Sequence, residues 1–345
     1  MANARQVFDK FLGSVKSEKF KPALDLLCLD AVVPENAEEE HPMVNGQILL
    51  ECVTELASNM ELQSDDITIL RGLCRGNSSV FLALCCHRLV VVKEHVFAAG
   101  SFLITSNILY ELSMLLFISH ARKTVFNSIR NNLPHVLQIE TARNSLRIVL
   151  EHLPLSLEDV CDRRLPPQYL KFLFFQLARV VQCIHANNLC HRDIKPSNIR
   201  CRGDGTPVLI DFDSAVYLKD NHASTFPICT VSARPPELLV DNNDLKEEKY
   251  DAKKLDIYSL GLLFVYIANS SRPLVIPQKT QEELKTKLIS AVPLSNNIRC
   301  RLGVELTHIV ELMLIPDPTV RPDINVVVQR LTEGTNRSPG GYGFA

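Results

Sequence analysis

The spacing of the apolar residues changes from strand-like to helical within this chain of 345 residues, and that change limits the available folds more than any single residue does. Between residues 66 and 98, short runs rich in Val, Leu and Phe are broken by Gly72, Gly76 and Asn77. Such runs read as successive strands, because β-branched and aromatic side chains suit a pleated surface and the breakers supply turns. From about residue 155 onward helical spacing dominates, beginning with Tyr169 to Ala186. Strands first and helices later predict an α+β protein with a small sheet lobe and a larger helical lobe.

Ahead of the strands lies an extension of different character. Residues 1 to about 30 read as helical, with Val7, Phe8, Phe11 and Leu12 on one side, and a second helical run spans Gln47 to Ala57. Between them, Val33 to Pro42 is acidic and flanked by prolines, the composition of a linker or exposed loop. Two amphipathic runs need a surface to cover, so a regulatory partner for residues 1–65 is an expectation. Residues 66–333 then form the main domain, with a sheet lobe over 66–152 and a helical lobe over 153–333. Residues 334–345 are read as a flexible tail.

Composition narrows the function classes. Hydrophobic residues at 46% and charged residues at 22% suit a globular protein rather than a disordered one. A formal net charge of −2 gives no global electrostatic reason to bind nucleic acid or an anionic membrane. The most apolar stretch, Leu260 to Ala268, is too short to span a bilayer, and the N-terminus lacks the apolar core of a signal peptide. The eleven cysteines are scattered without a CxxC spacing, which predicts reduced thiols and a cytoplasmic or nuclear location.

The chemistry concentrates in His191-Arg192-Asp193-Ile194-Lys195-Pro196-Ser197-Asn198. Moving a phosphoryl group from ATP to a hydroxyl needs a carboxylate for the hydroxyl proton, a cation for the γ-phosphate and a side-chain oxygen for magnesium. Asp193, Lys195 and Asn198 supply these in one short loop. The octet resembles the catalytic loop of the eukaryotic protein-kinase family, and the resemblance extends over roughly residues 66 to 333. It implies the two-lobed kinase fold, ATP and Mg2+ as cofactors, and protein substrates.

Further motifs resemble the same family. Leu209-Ile210-Asp211-Phe212-Asp213 is similar to the segment whose aspartate binds the metal, so Asp211 is read as a magnesium ligand. Asp213 stands where the family has glycine, which bears on loop flexibility more than on metal binding. Glu237, closing Thr230 to Glu237, and Arg321 resemble the family's buried structural ion pair, and Asp256, at what resembles the start of the family's central buried helix, the aspartate that holds the catalytic loop through backbone hydrogen bonds. Thr230 matches the hydroxyl that bonds the catalytic aspartate and lysine.

In the sheet lobe, Lys93 resembles the strand lysine that grips the α- and β-phosphates. Glu111 follows eighteen residues later on a helical run from Asn107 to Ser119, the family spacing for its partner. Gly72, Gly76 and Val80 resemble a phosphate-covering loop with two glycines in place of three, Val80 capping the adenine. Glu151 and Leu153 are read as the hinge, presenting backbone groups to adenine.

Lys195, two residues after Asp193, is the family's serine/threonine hallmark. The resemblance therefore implies a serine/threonine kinase. The other reading is a pseudokinase, a nucleotide-binding or scaffolding module, suggested by the thinned glycine loop, by Asp213, and by Val91 where the family prefers alanine. Kinases with an arginine before the catalytic aspartate often pair it with a phosphorylated loop residue. Ser224 and Thr225 are the candidates for Arg192.

Overall fold

The computed structural model describes residues 66–75, 78–96, 106–142, 145–161, 165–218, 234–238, 250–272 and 294–333, together with Gln6 and Asp9. The helices and acidic linker predicted within residues 1–65 and the predicted tail lie outside the described residues, those two positions apart. The chain divides into two compact units, one holding the described residues up to Pro154 together with Ile210–Tyr217, the other holding Leu155–Leu209 and the described residues from Leu218 onward.

The first unit is built on five antiparallel strands in the order β1-β2-β3-β5-β4. They are β1 (Ile67–Arg75), β2 (Ser79–Cys85), β3 (Arg88–Val96), β4 (Val136–Ala142) and β5 (Ser145–Glu151). β2 and β3 are joined through Cys86 and His87, both at positive φ (48° and 62°), the backbone pattern of a two-residue type I′ hairpin. Neither residue is a usual turn former, so the hairpin rests on the strand pairing that flanks it.

Alternation along β3 sorts the unit's side chains. Val90 and Val92 turn to one face and join Ala83, Cys85, Leu137 and Val149 in a buried cluster. Val91, Lys93 and His95 therefore share the opposite face. The long helix among this unit's described residues, α1 (Ser106–Arg122), is buried throughout Glu111–Ile118 and packs against β4 and the short 3-10 turn Phe212–Ser214. The register of the sheet and the seating of α1 are what fix Lys93 opposite Glu111.

The second unit is mainly helical. It comprises α2 (Leu157–Cys161), α3 (Pro167–Ala186), α4 (Ala252–Ala268), α5 (Asn296–Met313) and α6 (Ile324–Glu333). A small sheet runs in the order β6 (Leu155–Ser156), β8 (Ile199–Cys201), β9 (Pro207–Leu209), and a short strand β7 (Leu189–Cys190) leads into residues 191–198. Pro167 opens α3 at a position whose N–H has no helical partner to lose. From there Leu170, Leu173, Phe174, Leu177, Val181 and Ile184 bury one stripe.

Helix α4 is apolar nearly all round and forms the centre of this unit. It begins four residues before Asp256, where the sequence reading placed its start, because the Asp251 carboxylate accepts the backbone N–H groups of Lys253 and Lys254 and caps the first turn. Phe264 of α4 stacks on Phe174 of α3 with ring centroids 3.8 Å apart. At Gly261 a β-carbon would lie 3.0 Å from both Met313 and Leu314, so any larger residue requires those side chains to shift by a few tenths of an ångström. The expected α+β order, sheet first and helices later, is borne out. No helix among the described residues is long and apolar enough to cross a membrane, and every described cysteine is a free thiol.

Candidate active site

The second unit carries the catalytic-loop residues and a scaffold that fixes them. Asp256 on α4 is fully buried, and its two carboxylate oxygens accept the backbone N–H of Arg192 (2.7 Å), the backbone N–H of His191 (2.8 Å) and Nε2–H of His185 (2.9 Å). Those bonds hold Arg192 at φ 64°, a left-handed conformation that costs about 1–3 kcal/mol in a non-glycine residue. The strain turns the chain sharply just before Asp193. Lys195 Nζ then lies 2.7 Å from the Asp193 carboxylate. The Asn198 amide nitrogen donates to that carboxylate (3.0 Å) and to the Asp193 carbonyl (2.9 Å), so Asn198 meets Asp193 through its nitrogen and not through its amide oxygen. Sequence reading grouped these three residues, and the structure brings them together.

The ligand atoms of His185, Cys190 and Asp256 lie within 4.8 Å of one another, all buried. Both Asp256 oxygens already accept N–H groups, and burial pushes the Cys190 thiol well above its ordinary range, with Asp256 adding to the shift. Asp256 and His185 therefore act as a hydrogen-bonded brace on residues 191 and 192.

The first unit carries the phosphate-side candidates. Lys93 Nζ forms an ion pair with Glu111, donates to the Asp213 carboxylate at 2.8 Å, and lies 3.8 Å from Asp211. Burial alone would lower the Lys93 pKa, but the carboxylates of Glu111, Asp213 and Asp211 outweigh it and hold the ammonium above the ordinary lysine value. His95, two residues along the same strand face, places Nε2 3.2 Å from the second Glu111 oxygen. Glu111 is buried, which would raise its pKa. The His95 contact and the charge of Lys93 overcome that and keep it below the usual glutamate range. Burial and the nearby charge of Glu111 push the Asp213 carboxyl upward, partly offset by Lys93.

Asp211 sits at φ 65°, ψ 73°, a second strained non-glycine position, with its side chain partly exposed. Val80 pairs with Lys93 across the β2–β3 ladder. Gly72 is exposed in β1, where an added β-carbon would meet nothing within 4 Å, and Gly76 lies outside the described residues. At the predicted adenine-contacting residues, the Glu151 backbone N–H donates to the His135 carbonyl (3.0 Å) and its side chain accepts from the His135 N–H (3.1 Å), pinning β5 to the start of β4. Leu153 is buried just beyond the strand.

The scaffold pair takes a complete form. Arg321 uses all five of its N–H groups. Nη1 donates to Glu237 Oε1 (2.8 Å) and the Lys254 carbonyl (2.8 Å), and Nη2 to Glu237 Oε2 (3.0 Å) and the Pro316 carbonyl (2.9 Å). Nε donates to the Ile315 carbonyl (2.9 Å). The guanidinium carbon also lies 4.9 Å from the centroid of the Tyr258 ring. Thr230, Ser224 and Thr225 lie outside the described residues, and Arg192 Nη1 donates to the Tyr250 hydroxyl at 3.2 Å.

With this geometry in view, residues 75–331 match the family described as protein kinase domain. The chain belongs to the protein kinase family. It is 35% identical over 125 residues to the Dictyostelium discoideum protein named "Probable serine/threonine-protein kinase glkA", a match covering 36% of this chain and 25% of that protein. It is 26% identical over 169 residues to mouse sperm motility kinase 2A, covering 48% and 31% of the two chains. With cyclin-dependent kinase 2 of Caenorhabditis elegans it shares 26% identity over 260 residues, 72% of this chain and 66% of that one. The chain thus spans about a quarter to two thirds of the length of these relatives. Against the kinase pattern, sequence reading missed three contacts: Asp213 on Lys93, His95 on Glu111 and Tyr250 on Arg192. Only His95 left a signal, since strand alternation puts it beside Lys93.

Proposed function

We propose that this protein is a serine/threonine protein kinase that transfers the γ-phosphate of ATP to hydroxyls of other proteins, with magnesium as the metal. The observation that carries the reading is the Asp193–Lys195–Asn198 cluster on a loop braced by Asp256. In this reading Asp193 orients the substrate hydroxyl and accepts its proton, and Lys195 neutralises charge developing on the transferred phosphate. Lys93, kept charged by its carboxylates and fixed by Glu111, grips the α- and β-phosphates. The Asn198 amide oxygen and the partly exposed Asp211 carboxylate are hard oxygen donors of the kind magnesium takes. Magnesium, when bound, supplies charge neutralisation on the phosphates. Lys195 two residues after Asp193, together with the names of the relatives, supports serine and threonine as the acceptors. Every charged group that the chemistry needs is present, which weighs against the pseudokinase reading.

The test is transfer of labelled γ-phosphate from ATP by the purified chain, with magnesium and mixed protein substrates, followed by phosphoamino-acid analysis. Label on serine and threonine is the expected result. Label confined to tyrosine, or no transfer at any magnesium concentration, contradicts the reading.

A further inference from the structure

Lys93 is already occupied. An ammonium has three N–H donors. One meets Glu111 and one meets Asp213 at 2.8 Å, while Asp211 lies beyond hydrogen-bond range at 3.8 Å. The Lys93 side chain is 14% exposed, so an incoming phosphate competes with these carboxylates for the ammonium.

The two carboxylates differ in how readily they leave. Glu111 is 6% exposed on a buried stretch of α1, with its second oxygen against His95, so releasing it would strand a buried charge. Asp213 is 43% exposed on a three-residue 3-10 turn, and its carboxylate reaches water by a side-chain rotation. Glycine, which the family pattern has here, carries no such group.

We propose that Asp213 is an affinity-determining residue of the nucleotide site: in the nucleotide-free protein its carboxylate takes the place on Lys93 that a nucleotide phosphate takes, and nucleotide binds by displacing it. The proposal rests on the reading of Lys93 as the phosphate-binding lysine. Two consequences are specific. Removing the charge of Asp213 strengthens binding of ligands that carry phosphates and leaves adenosine unaffected. The gain also requires Lys93, because it arises from freeing that ammonium.

The experiment is calorimetric titration of the full chain with ATP, ADP and adenosine, with and without magnesium, for the parent, Asp213→Asn and Asp213→Gly. The same titrations are run in a Lys93→Met background, with melting curves to confirm folding. A charge-assisted hydrogen bond discounted for the exposure of Asp213 corresponds to roughly tenfold in affinity. ATP and ADP are therefore expected to bind both Asp213 variants about tenfold more tightly than the parent. Adenosine should stay within about twofold, and the gain should vanish when Lys93 is methionine.

Equal ATP affinity of parent and variants overturns the proposal and leaves the kinase reading standing. Weaker ATP binding by the variants overturns it too, making Asp213 a ligand rather than a competitor. A gain shared equally by adenosine assigns the effect to pocket shape and overturns it likewise. Binding of ATP by none of the proteins overturns both the proposal and the kinase reading.

Discussion

Two basic side chains organise the two units, and they are built in opposite ways. Arg321 is 1% exposed, and each of its five N–H groups has a fixed partner, two of them on Glu237 and three on backbone carbonyls. Lys93 is also largely buried but faces three carboxylates, two of them over 40% exposed on one short segment. A guanidinium with every donor satisfied has nothing left to offer a ligand, which is the mark of scaffold. An ammonium held partly by groups that can move into water keeps its charge while remaining able to change partners. In the reading proposed above, the rigid charge supports the fold and the exchangeable charge serves the chemistry.

That contrast is broken most directly at Lys93. Lys93→Met is expected to lower phosphoryl transfer by a factor on the order of 10³ at temperatures where the variant is fully folded, with some loss of melting temperature because Glu111 loses its partner. Comparable transfer by parent and variant would show that Lys93 is as structural as Arg321. At Arg321 the expectation reverses. Arg321→Met leaves Glu237 without its partner and should reduce stability by about 3 kcal/mol, the low end for a broken buried pair because Glu237 keeps some contact with water. Denaturant unfolding measures it, and a loss below about 1 kcal/mol would remove the scaffold role.

A smaller effect sharpens the Lys93 side. His95→Phe fills the same space but cannot hold the second Glu111 oxygen, and the loss of that 3.2 Å polar contact to a charged group predicts a three- to tenfold fall in kcat, roughly 1 kcal/mol. A fall in transfer that follows the melting temperature, without change at temperatures where the variant is fully folded, would make His95 a packing residue only. The smallest effect is expected at Gly72. A β-carbon there meets nothing within 4 Å, so Gly72→Ala should change stability by less than about 0.5 kcal/mol. A larger loss would mean that this part of β1 depends on glycine.

The parts of the site legible in sequence were those set by short spacing. Asp193, Lys195 and Asn198 fall within six residues, so one loop had to hold them, and the eighteen residues from Lys93 to Glu111 matched a strand followed by a helix. Asp256 and the Glu237–Arg321 pair were legible through family pattern rather than distance. The Asp213–Lys93 bond joins residues 120 apart in sequence, and it depends on where α1 and the turn Phe212–Ser214 pack. No local periodicity carries that information. The early start of α4 was missed because Asp251 reads as one more loop acid until its carboxylate is seen capping two N–H groups.

The central claim is that the Asp193 carboxylate performs the transfer step. The decisive measurement is Asp193→Asn assayed side by side for ATP affinity and for transfer of the γ-phosphate. Asparagine keeps the size of the side chain and a carbonyl that accepts from Asn198 and Lys195, but cannot take the hydroxyl proton. ATP affinity within about threefold of the parent's, with transfer reduced by a factor on the order of 10³, is the expected result. Transfer at a rate near the parent's would contradict the account.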